Sequence, residues 1–333
     1  MAWTVKRWAA LLKGYALLGT VPVLCGFIST TLDPEQSEVV TSDVEHFWQA
    51  FDDASKVPPA ERAGVYAREY LDLGSAGLKE FSKRRIGSPE TFTQHVEENR
   101  AYYAKVRPQI GEVVNQKPVI QAAFRRLKTV YPDIKFPKHV FFVVGRQHAA
   151  GISSSDGIIL AAEMFATPPG SAYNYNTAYP DFVPFTVVHE TIHFNQTFQD
   201  EDNITVLQGT ITEGTADFIA SLVLPEPSMR QYTDRWQYGC AHEAELASRY
   251  IQDEDVTKMP PWMYDHNPDT GWPPDMGYWM GYRIEQSVYA RAKDKIAALR
   301  RMLQVTDFKT LLMASGYPGK AQACVPQTPA HAR

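Results

Sequence analysis

The segment Phe185-Thr186-Val187-Val188-His189-Glu190-Thr191-Ile192-His193 decides how the rest of the chain is interpreted. Its apolar residues recur at helical spacing, which predicts a helix with one apolar side facing the core. His189 and His193 are four residues apart and therefore lie one turn above each other on another side of that helix. Two imidazole nitrogens at this spacing can bind one zinc ion, and Glu190 can accept a proton from a metal-bound water.

A second predicted helix supplies a third ligand. Nineteen residues separate His193 from Glu213, which lies among small and apolar residues that again show helical spacing. Asp217 is four residues further on, on the same face, where a carboxylate can accept the second ring N–H of a ligand histidine. The alternative is a solvated acidic face, but the neighbours of Glu213 and Asp217 are not lysines. The pattern favours metal ligation by Glu213, with Asp217 behind a histidine.

The motif His189-Glu190-x-x-His193 followed by Glu213-x-x-x-Asp217 resembles that of the gluzincin metallopeptidases, which include the thermolysin-like enzymes. The resemblance implies that His189, His193 and Glu213 bind zinc and that Glu190 is the general base. It implies that Asp217 is the partner of a ligand histidine. The implied protein is a zinc-dependent hydrolase, a peptidase acting on a peptide or protein substrate, with Zn²⁺ as its cofactor.

A longer part of the chain is similar to an uncharacterised bacterial family of predicted zinc-dependent proteases. This likeness runs through Gly157-Ile158-Ile159-Leu160, His242-Glu243 and the segment 277–283. Peptide hydrolysis needs a donor for the oxyanion besides the metal, and the likeness offers four candidates: His242, Tyr278, Tyr282 and Arg283. The alternative for the tyrosines is core packing, because they too recur at helical spacing. A Gly-x-Met-Glu-Asn element, by which gluzincin aminopeptidases hold a free N-terminus, is missing, so exopeptidase action is not implied.

The composition limits the remaining function classes. The chain has 333 residues, 44% hydrophobic and 21% charged, with a formal net charge of −5. Its basic residues are scattered, so no nucleic-acid partner is expected. Three alternatives to a peptidase stay open at this point: an exported zinc-binding protein without turnover, a zinc hydrolase of a non-peptide amide or ester, and a chain whose motif helix only packs and binds no metal. The sequence does not indicate an oligomeric state.

Residues 1–29 have the pattern of a signal peptide or an N-terminal anchor. Three basic residues precede the uncharged apolar stretch 14–29. Leu24-Cys25-Gly26 faintly resembles a lipoprotein processing site, although such sites want a small residue where Leu24 stands. The protein is therefore expected to be exported: periplasmic, secreted or membrane-anchored. In an oxidising compartment Cys240 and Cys324 could form a disulfide, and two free thiols are the alternative.

The expected fold class is α+β and zincin-like. A capping box of Ser42 with Glu45, Pro89 after Ser88, and Pro118 predict the starts of three helices. Short apolar runs at 140–144 and 158–160 predict strands. The expected order is a helical N-terminal part, a small antiparallel sheet, the metal helix and further helices. These elements are predicted to form one domain over residues 30–319, followed by a loose tail at 320–333.

Overall fold

A computed structural model describes residues 30–148, 150–154, 156–167, 178–197, 203–224, 233–264 and 270–325. These parts are mostly helical with one four-stranded and one two-stranded sheet, which confirms the α+β class. The predicted signal or anchor, residues 1–29, lies outside the described residues. Among the helices that the structure describes, none is both long and apolar enough to cross a membrane.

The chain divides into two compact units, where the sequence predicted a single region from 30 to 319. The described parts of 30–122 and 135–183 form the sheet unit. The described parts of 123–134 and 184–325 form the helical unit, which contains the metal-ligand candidates.

The sheet unit consists of short helices around its sheets, and its core is rich in aromatic residues clustered around Phe47. Short 3₁₀ or π turns link several of its elements, at Pro34–Gln36, Pro59–Glu61, Ala67–Leu71, Ser82–Ile86, Ala162–Phe165 and Pro180–Phe182. The elements in chain order are β1 (Thr30–Thr31), β2 (Glu38–Val40), α1 (Ser42–Ala54), α2 (Arg62–Tyr66), α3 (Ala76–Phe81), α4 (Pro89–Glu98), α5 (Arg100–Val114), the start of α6 (Lys117–Val130), β3 (Phe136–Pro137), β4 (His139–Val143), β5 (Gly151–Ser154) and β6 (Gly157–Ala161).

The predicted helix starts are confirmed, with one difference in capping. The Ser88 hydroxyl accepts a hydrogen bond from the Thr91 N–H and caps α4. Helix α6 begins at Lys117, one residue before the proline that predicted it. Helix α1 begins at Ser42, but its N-cap is Thr41, which makes no side-chain capping bond. The sequence pattern therefore predicts where these helices lie, whereas the residue that caps each helix depends on the tertiary structure.

The prediction of an antiparallel sheet is wrong. The strand order is β2-β4-β6-β5; β4 runs parallel to both β2 and β6, and only β5 is antiparallel to its neighbour. The Gly/Ser-rich segment between the two apolar runs is the cause. It forms a strand of its own, β5, which turns the chain back so that β6 enters the sheet in the same direction as β4.

The helical unit is organised by the crossing of its two longest helices, α8 and α11. A Cβ atom on Gly281 would lie 1.9 Å from the carbonyl oxygen of Thr210, and one on Gly214 would lie 2.2 Å from the carbonyl carbon of Gly281. Only glycine permits this approach of two backbones. The elements of the unit are α7 (Val183–His193), α8 (Val206–Val223), α9 (Thr233–Ala241), α10 (Glu243–Asp253), α11 (Met276–Arg291), α12 (Lys295–Leu303) and α13 (Phe308–Ser315).

A disulfide joins Cys240 to Cys324, which decides between the two alternatives left by the sequence. The Arg283 guanidinium donates to the carbonyl of Gln322, two residues before the disulfide. The first part of the predicted loose tail is thus attached to the helical unit, and residues 326–333 lie outside the described residues.

Glu285 on α11 is fully buried beside α8, where its Oε1 accepts a hydrogen bond from the Thr215 hydroxyl. Burial raises the pKa of Glu285 to about 8, from 4.5, against weaker opposing effects of Thr215 and Arg301. Between pH 4.5 and about pH 8, the Glu285 carboxyl is ionised in the unfolded chain and protonated in the folded chain. The free energy of unfolding therefore decreases as the pH rises through this range.

The variant Glu285→Gln removes this ionisation while keeping the side chain's shape and an acceptor for Thr215. We expect wild type and variant to be similarly stable near about pH 5, and the variant to be more stable by a few kcal/mol near about pH 8. Urea unfolding at both pH values measures the difference. Parallel pH profiles for the two proteins would contradict the assignment.

Candidate metal site

Three ligand atoms from two helices converge within the helical unit. Nε2 of His189 and Nε2 of His193, both on α7, are 2.9 Å apart. Oε2 of Glu213, on α8, lies 3.2 Å from the first nitrogen and 3.4 Å from the second. Zinc bonds of about 2.0 to 2.1 Å in a tetrahedral site place neighbouring ligand atoms about 3.3 Å apart. The residues present therefore fit a zinc ion.

The other ring nitrogen of each histidine is held by a hydrogen-bond acceptor. Nδ1 of His189 lies 2.8 Å from Oδ1 of Asp217, the pairing that the sequence predicted. Nδ1 of His193 lies 2.7 Å from Oε1 of Gln196, and the Gln196 amide donates in turn to the carbonyl of Thr212. Both acceptors require the ring proton on Nδ1, which leaves each Nε2 lone pair available to a metal. Sequence reasoning missed Gln196, although its place three residues after a ligand histidine was a usable signal.

The charges of the site are strongly coupled. Burial alone would lower the pKa of His189, but hydrogen bonds to Asp217 and Glu213 outweigh it and hold that pKa well above its usual value. The pKa of His193 is likewise raised against the effect of burial, chiefly by Glu213. Burial opposes ionisation of Glu213, but the two histidines hold its pKa far below the usual range. Protons and a metal compete for the same nitrogens, so metal binding should weaken as the pH falls.

A loop residue, Tyr264, donates a hydrogen bond to the second carboxylate oxygen of Glu213, Oε1. The hydroxyl of Tyr264 lies 3.4 Å from Oε1 of Glu213. Tyr264 has a positive φ of 61°, and its N–H donates to Oδ1 of Asp275, which has a φ of 60°. Two non-glycine residues in the left-handed region cost free energy, which the surrounding contacts must offset. No spacing signal pointed to Tyr264, because it lies 51 residues after Glu213 in a loop.

Glu190 does not join the ligand set. Its side chain is partly exposed and makes no hydrogen bond or ion pair with any residue that the structure describes. Burial raises its pKa, against the lowering effect of His193 and His189. Glu190 is therefore close to the site electrostatically but forms no hydrogen bond or ion pair with Glu213 or the histidines.

Of the four further candidates, the structure brings only Tyr278 to the histidines. Its ring stacks on that of His189, with centroids 6.2 Å apart. The hydroxyl of Tyr282 bonds that of Ser221, and His242 stacks on Tyr238 at the surface. The Arg283 guanidinium is buried and its hydrogen bonds go to three groups away from the ligand atoms, on Glu243, Gln286 and Gln322. These three side chains hold helices and the C-terminal segment together.

One comparison with known proteins identifies a family. The family model of the gliding motility protein GldB, a lipoprotein family, matches residues 30–237, which is more than half of the chain. No curated protein and no solved structure matches.

This match corrects the prediction of a gluzincin-type zinc metallopeptidase, and with it the predicted hydrolase and protease function. The motif specifies a geometry of ligands on two helices, and that geometry does not by itself specify a reaction. The roles predicted for Glu190, His242, Tyr278, Tyr282 and Arg283 stay predictions, because the match does not bear on individual residues.

The match confirms the predicted location, because a lipoprotein is exported and membrane-anchored. The family does not support the finer prediction of a peptide or protein substrate. This chain belongs to the GldB family of gliding-motility lipoproteins.

Proposed function

We propose that this protein is a lipid-anchored part of an exported protein assembly and that its helical unit holds one zinc ion as a fixed structural element. His189, His193 and Glu213 would be the ligands. The observation that carries this proposal is the convergence of their three ligand atoms, together with the acceptors on both Nδ1 atoms. The two ligand-bearing helices also support a zincin-like arrangement of this unit.

Zinc at this position would tie the C-terminal end of α7 to the middle of α8. Glu213 is next to Gly214, at which α8 crosses α11, so the metal would brace the part of the unit with the closest helix packing. A ligand that binds only the folded chain stabilises it by mass action. The zinc would in this way keep the surface built by these helices in one shape for a protein partner.

The test of the metal is a direct measurement. We expect about one zinc per chain in full-length protein purified in mild detergent without added metal. Removal of zinc with a chelator should lower the melting temperature, and added zinc should restore it. Metal analysis together with thermal unfolding measures both. A chain that carries no stoichiometric metal and whose melting temperature ignores zinc would contradict the proposal.

A separate prediction concerns the anchor. Cys25 lies in the N-terminal apolar stretch, outside the described residues, and the family is one of lipoproteins. We propose that the Cys25 thiol carries the lipid. Cys25→Ser should then move the protein from the membrane fraction to the soluble fraction after a high-salt wash, because covalent acyl chains supply the membrane affinity.

Cys240→Ser is the matched control for the anchor. It removes a cysteine that is bonded to Cys324 and should leave the protein in the membrane fraction. If Cys25→Ser remained in the membrane as well, the apolar stretch itself would be the anchor and Cys25 would not carry the lipid.

A further inference from the structure

The helical unit contains an open cavity of about 370 Å³, separate from the metal-ligand candidates. It lies where the end of α11 meets the start of α12 and the end of α13. Three cationic side chains line it, those of Arg291, Lys293 and Arg301, with one acidic side chain, Asp294. The remaining lining residues are alanines and one valine, whose small side chains leave room for a ligand.

None of the three cations forms a salt bridge with a carboxylate of a described residue. Among the described residues, no carboxylate oxygen lies within 4.0 Å of Arg291, Lys293 or Arg301, whereas neighbouring Arg300 pairs with Asp133 at 2.6 Å. Of the two adjacent arginines on α12, Arg300 is thus neutralised by a salt bridge and Arg301, which lines the cavity, is not.

Two hydrogen-bonding arrangements organise the cavity before any ligand binds. Nη1 of Arg291 donates to the carbonyls of Ala314, at 3.1 Å, and Ser315, at 2.7 Å, which fixes the guanidinium at the end of α13. Oδ1 of Asp294 accepts from the N–H of Ala297 and serves as the N-cap of α12. The one acidic group of the cavity is therefore directed to a backbone N–H. The side chains of Lys293 and Arg301 form no hydrogen bond with a described residue, so their donors are available to a ligand.

The electrostatic potential around the cavity is positive although the protein as a whole carries a net negative charge. Residues 291–301 contain five basic side chains and one acidic side chain, in a chain with a formal net charge of −5. The cavity also lies at the first turn of α12, where the aligned peptide dipoles add positive potential. Such a place concentrates anions.

We propose that this cavity binds the phosphate group of an anionic ligand, through Arg301 and Lys293 with Arg291 behind them. Charged N–H donors from three side chains that line one cavity match the several oxygens of a phosphate. Two exposed apolar side chains belong to the same helices: Ile296, 42% exposed, and Met313, 73% exposed. Basic groups beside exposed apolar ones are typical of surfaces that meet anionic lipid. In a membrane-anchored protein, the phosphate can therefore come from a lipid headgroup or from solution.

Amine footprinting on the full-length protein in nanodiscs tests the proposal. The acetylation rate of Lys293 is compared with that of Lys105, an exposed lysine of α5, by mass spectrometry. In phosphatidylcholine nanodiscs, inorganic phosphate at about three times its dissociation constant should lower the acetylation rate of Lys293 about fourfold. The acetylation rate of Lys105 should not change. In nanodiscs rich in phosphatidylglycerol, slowing of Lys293 without added phosphate identifies the lipid headgroup as the source.

The variant Arg301→Gln should abolish the protection of Lys293 in both arms. Arg126→Gln, which removes the same charge from an exposed position on α6, should preserve it. The proposal is overturned if neither phosphate nor phosphatidylglycerol slows Lys293. It is also overturned if Lys105 is slowed equally, since that result means general screening or contact with the membrane. Neither readout depends on zinc.

Discussion

Replacement of Glu213 by Gln is expected to weaken zinc binding more than a hundredfold. The neutral amide oxygen is a poor zinc ligand, and its loss leaves only two imidazoles to hold the ion. Loss of an outer partner such as Asp217 typically costs ten- to a hundredfold in metal affinity, and loss of a direct ligand should exceed that. Competition titration with a zinc chelator of known affinity measures the effect, and the variant should no longer gain thermal stability from added zinc.

Glu190→Gln is the matched control, because it makes the same chemical change one residue after a ligand histidine. Glu190 forms no hydrogen bond or ion pair with the candidate ligands, so the variant should bind zinc within a few-fold of wild type. Equal affinities for wild type and Glu213→Gln would show that the carboxylate is not a ligand. A large loss for Glu190→Gln would show that the ligand set has been assigned to the wrong glutamate.

The second large effect is expected from Gly281→Ala. The added Cβ would meet the Thr210 carbonyl oxygen at 1.9 Å and the Gly214 Cα at 2.9 Å. Both are backbone atoms, so relief requires α8 and α11 to move apart along their contact. We expect a destabilisation of more than about 3 kcal/mol, because overpacking here cannot be absorbed by a side chain. Urea unfolding monitored by circular dichroism measures it, or the yield of folded protein if the variant does not fold.

Gly111→Ala controls for the mutation itself. Gly111 is inside α5, and a Cβ there would have no atom within 4 Å. Replacing a helical glycine by alanine in open space should stabilise the protein by about 0.5 to 1 kcal/mol. If Gly281→Ala were as stable as wild type, α8 and α11 would not be in the contact described.

The sequence identified the candidate ligands because they lie on two helices with strong periodicity. A spacing of four residues places His189 and His193 one above the other in any α-helix, whatever surrounds it. The same argument predicted the side of α8 that carries Glu213 and Asp217. It failed for Tyr264, which reaches Glu213 from a loop. On α11 the candidates came from the family likeness, and the structure stacks Tyr278 on His189.

The predicted reaction shows a different limit. A motif of about thirty residues describes a spacing of candidate ligands, whereas the match over residues 30–237 identifies a family of motility lipoproteins. The ligand prediction and the enzyme prediction had rested on the same few residues. The ligand prediction concerned the spacing and chemistry of those residues, whereas the enzyme prediction also required a reaction that they do not specify.

The sequence by itself determined the helices, the main apolar strands, the export pattern and the candidate ligands, since each depends on residues close together in the chain. The tertiary structure alone decided the direction of β6, the pairing of Cys240 with Cys324 and the meeting of Gly214 with Gly281. It also decided which acceptor holds each histidine and that Arg291, Lys293 and Arg301 share one cavity. Each of these depends on contacts between separate elements, and such contacts are set by how the elements pack together rather than by local periodicity.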